Sequence, residues 1–393
     1  MSNVLLYRMV VEGFDFGPFI TKLVIAWDKG GSVNAADFSL TVTKQGGAFD
    51  DGPVVEGERK VTGAYMAGGE LTLELEVHPS YAVANGFRIE LKDEGPGRHY
   101  IGNQWAHPYK HTLTYKGETF ELERTGVVMP LADSFERPGP FIASDGTRLQ
   151  YASFVPSEAK SGKRPLVIWL HGAGEGSWMG TQDINVALIG NKVVSFADKK
   201  FQDAMGGAYV LVPQAPTMWM DDGTKTYTQD GTTMYETALT ELLERYIEDH
   251  PNVDRGRVFI GGCSNGGFMT VRMILTRPEL FAAAFPVCQA YKPEWISDGQ
   301  VEKIAHLPIW QVHARNDEVV PFAFAEDLHG RLIKAGGKDV RYTWYDTVED
   351  VSGLWVDDGG KSWEYNGHFC WVHVFNGDVL CEGVSLFEWL GSK

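Results

Sequence analysis

The apolar residues of this chain change their period near residue 145, and that change limits its possible folds more than any other feature. Before it, residues 71–77 (LTLELEV) alternate Leu71, Leu73, Leu75 and Val77 with Thr72, Glu74 and Glu76. Residues 87–92 (FRIELK) repeat the pattern with Phe87, Ile89 and Leu91. A period of two puts one set on a buried face and the other in water. TKLVIAW, FSLTVTKQ, RKVTGAYM and HTLTYKG add short strands parted by Gly, Asp, Asn and Pro, and no helical period of useful length interrupts them. Such spacing predicts an antiparallel β-sandwich over residues 1–126. The Cys–Trp–Cys signature of antibody domains is absent, so the spacing speaks for the sandwich architecture alone. Residues 127–144 (VVMPLADSFERPGPFIAS) hold three prolines and no period, which places a linker there.

From residue 145 to 393, short apolar runs alternate with helical segments. PLVIWLHG, AYVLVPQ, RVFIGG, AAFPVCQ, PIWQVHA and VRYTWYD read as strands, several apolar on both faces, as in a parallel sheet covered by helices. Between them, YETALTELLERYIEDH puts Leu239, Leu242, Leu243, Tyr246 and Ile247 on one helical stripe. Thr233 and Glu236 have capping-box spacing, and LHGRLIKAGG closes on a glycine C-cap. Strands alternating with helices define an α/β fold. A chain of 393 residues also exceeds one ordinary core, in keeping with two domains.

Composition removes several classes of function. The formal net charge of −17 would repel a phosphate backbone, so no nucleic acid partner is expected. No apolar run approaches the ~20 residues of a membrane helix, so no membrane partner is expected either. The N-terminus, MSNVLLYRMVVEGFDF, lacks the basic and apolar regions of a signal peptide, and a cytoplasmic location is expected unless a leader has been removed. Cys263, Cys288, Cys370 and Cys381 show no C-x-x-C spacing, so neither a zinc site nor a disulfide framework is expected.

The candidate chemistry starts at residues 261–267, GGCSNGG, after the run RVFI. Gly262-Cys263-Ser264-Asn265-Gly266 fits G-x-S-x-G, in which a serine sits on a tight, strained turn from strand to helix. A structural glycine turn would share the pattern but would not need a base and an acid downstream. A serine hydroxyl needs a base oriented by a carboxylate; in the α/β-hydrolases, whose elbow this pattern resembles, the chain order is Ser, acid, His. Asp317, just after the strand PIWQVHA and followed by Val319, Val320 and Pro321, is the expected acid, with Glu318 as its competitor. Beyond it lie His329, His368 and His373; His368, in the loop NGHFCW, is the expected base, His329 sits in a helical segment and His373 is expected to be packed. The loop HGAGEGS after PLVIWL supplies an oxyanion hole, with the backbone N–H groups of Ala173 (or Gly174) and Asn265 as donors and His171 as a support. Trp178 and Trp219 are candidate substrate-binding residues, and Trp355, Trp363 and Trp371 flank His368; core packing is the competing reading for all five.

LHGAGEG, DRGRVFIGGCSNGGF, HARNDEVVP and NGHFCW together resemble the α/β-hydrolase superfamily, near its feruloyl-esterase, polyhydroxybutyrate-depolymerase and prolyl-oligopeptidase-type branches. VEGFDFGPFITKLVIAW and FSLTVTKQ resemble the immunoglobulin-like domain that precedes the hydrolase domain in a group of bacterial esterases. The resemblance implies a serine carboxylesterase using Ser264, Asp317 and His368 without metal or organic cofactor. It implies a small-molecule or polymer-borne ester as substrate. Cys263, where such hydrolases also carry larger residues, is expected to alter the acyl pocket. A prolyl-oligopeptidase-type peptidase is the nearest rival, but the N-terminal half is too short for the propeller of that branch. A feruloyl or acetyl esterase acting on carbohydrate is a second alternative, and a sugar-binding module a remote third. Trp105, in NQWAHPY, is expected to touch the hydrolase half or a neighbouring subunit, so a homo-oligomer built through the N-terminal half is a further expectation.

Overall fold

The computed structural model describes residues 4–45, 54–93, 99–176 and 183–393. The chain divides into two compact units, residues 1–90, 102–134 and 189–192 against residues 91–101, 135–188 and 193–393.

The first unit is all β. Its strands are β1 (Val4–Phe14), β2 (Gly17–Ala26), β3 (Phe38–Gln45), β4 (Val54–Arg59), β5 (Val61–Ala67), β6 (Glu70–Leu75), β9 (Tyr109–Tyr115) and β10 (Glu118–Val128). Between β6 and β9 come β7 (Phe87–Asp93) and β8 (His99–Trp105), which pair with each other. The eight strands bond in the order β4-β3-β9-β10-β1-β2-β6-β5. Read as C′-C-F-G-A-B-E-D, this is the strand order of an immunoglobulin-type sandwich. The sheet curls over on itself, because Trp27 beyond β2 packs edge-on against Phe38 of β3 and Tyr115 of β9. Alternation works as the residues demand: Leu71, Leu73 and Leu75 are in the core, while Glu74 lies opposite Lys22 of β2 and pairs with it at 2.9 Å.

Two expectations need correction. The sheet is not wholly antiparallel, since β1 runs parallel to β10, and hydrogen bonds join all eight strands through it. Thr72 is buried rather than wetted, because β2 and β5 flank β6 on both sides. Trp105 ends β8, and its ring meets Phe87 edge-on at 4.6 Å.

The second unit carries a sheet ordered β11-β12-β14-β13-β15-β16-β17-β18. The strands are β11 (Phe141–Ile142), β12 (Arg148–Phe154), β13 (Arg164–Leu170), β14 (Tyr209–Gln214), β15 (Val253–Cys263), β16 (Ala283–Val287), β17 (Ile309–Ala314) and β18 (Val340–Tyr345). β12 is antiparallel to β14, and β14 through β18 are parallel. Two short strands, β19 (Val348–Glu349) and β20 (Glu364–Tyr365), pair ahead of the C-terminal loop.

The helices are α1 (Ile184–Ile189), α2 (Lys199–Met205), α3 (Glu236–Asp249), α4 (Asn265–Thr276), α5 (Asp298–Ile304), α6 (Ala323–Lys334), α7 (Trp371–Asn376) and α8 (Leu386–Gly391). Successive residues of β13 serve opposite faces of the sheet. Leu166, Ile168 and Leu170 join a core with Leu239 and Leu243 of α3, Ile274 of α4 and Leu328 of α6. Trp169 points the other way, against Phe196 and Phe375 of α7. Cover on both faces explains why these strands do not alternate. Among the described residues no helix is long and apolar enough to cross a membrane.

The expected capping box at α3 does not form. Tyr235 is the N-cap, Thr233 Oγ1 accepts from Tyr235 N at 3.1 Å, and Glu236 turns to Arg272 at 2.6 Å. That ion pair ties α3 to α4.

Candidate active site

β15 runs into Ser264 and α4 starts at the next residue. Ser264 has φ 55 and ψ −113, a strained conformation for a residue with a side chain. Its N–H donates to Val287 O of β16 at 2.9 Å, which pins the turn. Gly266 is required by crowding: a Cβ there would stand 1.9 Å from Leu170 O and 2.6 Å from His171 O. The elbow therefore sits directly on the backbone that leads into the HGAGEGS loop.

Ser264, His368 and Asp317, far apart in sequence, form one hydrogen-bonded line. His368 Nε2 lies 2.9 Å from Ser264 Oγ, and its Nδ1 lies 2.8 Å from Asp317 Oδ2. His368 is held in turn: Asn366 Oδ1 accepts its backbone N–H at 2.9 Å, and Trp371 meets its ring edge-on at 5.3 Å. Gly367 lets this loop close on the acid's own loop, since a Cβ there would fall 2.4 Å from Asn316 Oδ1. Asp317 follows β17 and is buried, whereas Glu318 is exposed. Its Oδ1 accepts the N–H groups of Val319 (2.8 Å) and Val320 (2.9 Å). Its Oδ2 accepts from His313 Nε2 at 2.9 Å as well as from His368. Burial pushes the Asp317 carboxyl up, but the donors from His313, His368 and Val320 outweigh it and hold the group well below the usual carboxylate range. His329 packs against Tyr342, and His373 is buried and stacked on Tyr345 at 4.2 Å.

The loop of the expected oxyanion donors lies against the elbow. Ala173 opens a short 3-10 turn and Asn265 opens α4, so both N–H groups stand at helix starts, where the helix has no partner for them. Asn265 is fixed through its side chain, whose Oδ1 accepts Trp219 N at 2.6 Å. His171 supports the loop as expected. Its Nδ1 donates to Gly172 O at 2.6 Å and its Nε2 accepts Ala215 N at 3.0 Å, and burial lowers its pKa to about 4, so the ring stays neutral.

Two substrate-side expectations change. The Trp219 ring is wholly buried, against His171 and Tyr235, so this residue acts on the site through its backbone N–H and not as a substrate platform. Cys263 is wholly buried with its sulfur under Gly172, so it packs behind the loop rather than lining an acyl pocket, and burial beside Glu175 pushes its thiol up. Trp178 lies outside the described residues. Trp363 donates its backbone N–H to Trp355 O at 2.9 Å, within the hairpin that ends at β20.

Cys288, at φ 35 just beyond β16, joins the line from behind. Ligand-type atoms of Cys288, Asp317 and His368 all lie within 4.8 Å of one another, a grouping of residues that their sequence spacing does not reveal. Both Asp317 oxygens and both His368 nitrogens are already engaged in hydrogen bonds, which is the chemistry of a proton relay rather than of a metal cage.

A nucleophile elbow on a mixed sheet in this order defines a serine hydrolase of the α/β-hydrolase fold. The chain belongs to the phospholipase/carboxylesterase family, whose profile matches residues 152–351, half of its length. Among solved structures it is similar to a thermostable esterase, with 24% identity over 98% of both chains and a TM-score of 0.75. It is also similar to an S-formylglutathione hydrolase from Agrobacterium tumefaciens, at 16% identity over 66% of this chain and 95% of that one, with a TM-score of 0.44. A ferulic acid esterase is similar at 14% identity over 54% of this chain and 91% of that one, with a TM-score of 0.41. A search of curated proteins finds no match.

Proposed function

We propose that the protein is a carboxylesterase that hydrolyses small or polymer-borne acyl esters through an acyl-enzyme. The observation that supports this reading is the Ser264–His368–Asp317 line, closed at 2.9 and 2.8 Å on a strained elbow. Ser264 Oγ attacks the ester carbonyl carbon while its proton passes to His368 Nε2. Asp317 holds the Nδ1–H of His368 and stabilises the imidazolium. The N–H groups of Ala173 and Asn265 receive the oxyanion. Collapse expels the alcohol, which takes the proton from His368. Water then attacks the acyl-Ser264, giving its proton to His368, and a second collapse releases the acid and restores the serine. No step requires a metal or organic cofactor.

Turnover of p-nitrophenyl acetate tests the reading. Ser264→Ala should lower kcat by about 10⁶-fold with the fold intact by circular dichroism. Activity within about tenfold of wild type would remove Ser264 from this role.

A further inference from the structure

His313 takes no part in those steps, yet it reaches the same carboxylate. It lies on β17, wholly buried, and its edge contact with Phe322 fixes the ring. Its Nε2 faces two acceptors, Asp317 Oδ2 at 2.9 Å and Val320 O at 3.2 Å, so that nitrogen carries the proton. Its Nδ1 is buried without a hydrogen-bond partner among the described residues. A proton on Nδ1 would meet no acceptor, so the ring is held with its N–H at Nε2. His368 Nδ1 donates to the same oxygen at 2.8 Å, while Oδ1 is filled by the Val319 and Val320 N–H groups.

We propose that His313 is a positioning residue that shares Asp317 Oδ2 with His368, fixing the carboxylate and limiting how tightly it can hold the imidazolium. Two N–H donors on one oxygen compete for its electron density. Without His313, Oδ2 turns wholly to His368, the imidazolium is better stabilised, and the base gives up its proton only at higher pH. The carboxylate also loses a side anchor. The other titratable groups around the pair are few. From the end of β16 comes Cys288, whose thiol burial pushes up and so keeps neutral, with Cys370 beside it from the C-terminal loop. Arg315 lies over the Phe322 ring and pairs with Asp346. Glu318 points to solvent.

This inference rests on the triad reading above, and the experiment separates the two. The pH dependence of kcat/KM for p-nitrophenyl acetate is measured for wild type, His313→Leu and His313→Gln, with a fluorophosphonate to count competent sites. Leu keeps the bulk and removes the donor; Gln keeps an N–H near the position of Nε2. His313→Leu should lower kcat/KM about tenfold, as loss of an outer-shell partner does. Its acid limb should move up by about one pH unit or less. His313→Gln should keep the wild-type limb. If His313→Leu fails to fold, His313→Asn, whose amide stops one bond short, takes its place with the same expectation. An unmoved acid limb in the Leu or Asn variant, whatever its rate or melting point, would reduce His313 to packing and overturn the proposal. A shifted limb that Gln does not restore would also overturn it. An active Ser264→Ala control would instead bring down the triad reading, independently of any limb.

Discussion

The two halves of this chain use their polar groups differently. The all-β half sets ion pairs such as Arg8–Glu70, Lys22–Glu74, Lys29–Glu118 and Lys60–Glu76 at part-exposed positions, and turns its buried Lys44 and Arg59 onto backbone carbonyls. Among its described strands and hairpins the non-glycine residue with positive φ is Lys116, which sits with Gly117 in a two-residue turn, where such backbone is ordinary; Lys192 is the other such residue of the first unit. The hydrolase half buries His171, Asn265, His313, Asp317 and His368 and connects each of them. Its positive-φ residues include Ser264 and Cys288, both at the site. Surface pairs contribute little each and tolerate loss, whereas a buried network is costly when one partner is removed. Strain and a buried polar network therefore coincide where the chemistry is, whereas Lys44, Arg59 and His111, buried in the N-terminal half, stand on unstrained strand backbone.

The contrast breaks most visibly at the base. His368→Ala should cost roughly 10⁴-fold or more in kcat, while His373→Ala, a packed residue, should keep most of its activity per folded molecule. Steady-state kinetics with active-site titration checks both, and a reversal would move the base to His373. Asp317→Asn should cost about 10⁴-fold, since the amide can leave His368 in the wrong tautomer. Gly266→Ala should cost at least about 3 kcal/mol of stability, because its methyl would meet the Leu170 carbonyl, and chemical denaturation measures it.

Acid should weaken both halves by the same means. Burial lowers the pKa of His111 in the first unit to about 3 and that of His171 in the second to about 4, from 6.5. Between 6.5 and those values the unfolded chain takes up protons that the fold refuses. Stability is thus fully present above about pH 6.5 and falls as the pH drops through that window, by up to a few kcal/mol. Guanidinium melts at pH 7 and pH 5 test this, and equal stability at the two would contradict it. The smallest effect is expected outside: Lys22→Ala should change stability by less than about 1 kcal/mol and leave kcat unchanged.

Much of this was legible in the residues. Ser264, Asp317 and His368 stand in local patterns that follow the chain order of the α/β-hydrolase fold, and unalternating runs such as PLVIWL announce a sheet covered on both faces. What stayed hidden depends on contacts distant in sequence. The parallel pairing of β1 with β10 joins opposite ends of the first unit, and no local period encodes it. Trp219 looked like a pocket residue because of its place in the chain, yet Met218 and Met220 on either side were the signal of a core. His313 stood inside the motif HARNDEVVP; a histidine in a strand otherwise buried on both faces, four residues before an acid, was the clue to its contact.

The central claim is that Ser264 is the nucleophile, and covalent labelling tests it most directly. A fluorophosphonate should inactivate the wild-type protein with a stoichiometry of about one. Peptide mass spectrometry should place the adduct on Ser264, within residues 258–272 (VFIGGCSNGGFMTVR). An adduct on another residue, or none in protein that turns over the ester, would contradict the account.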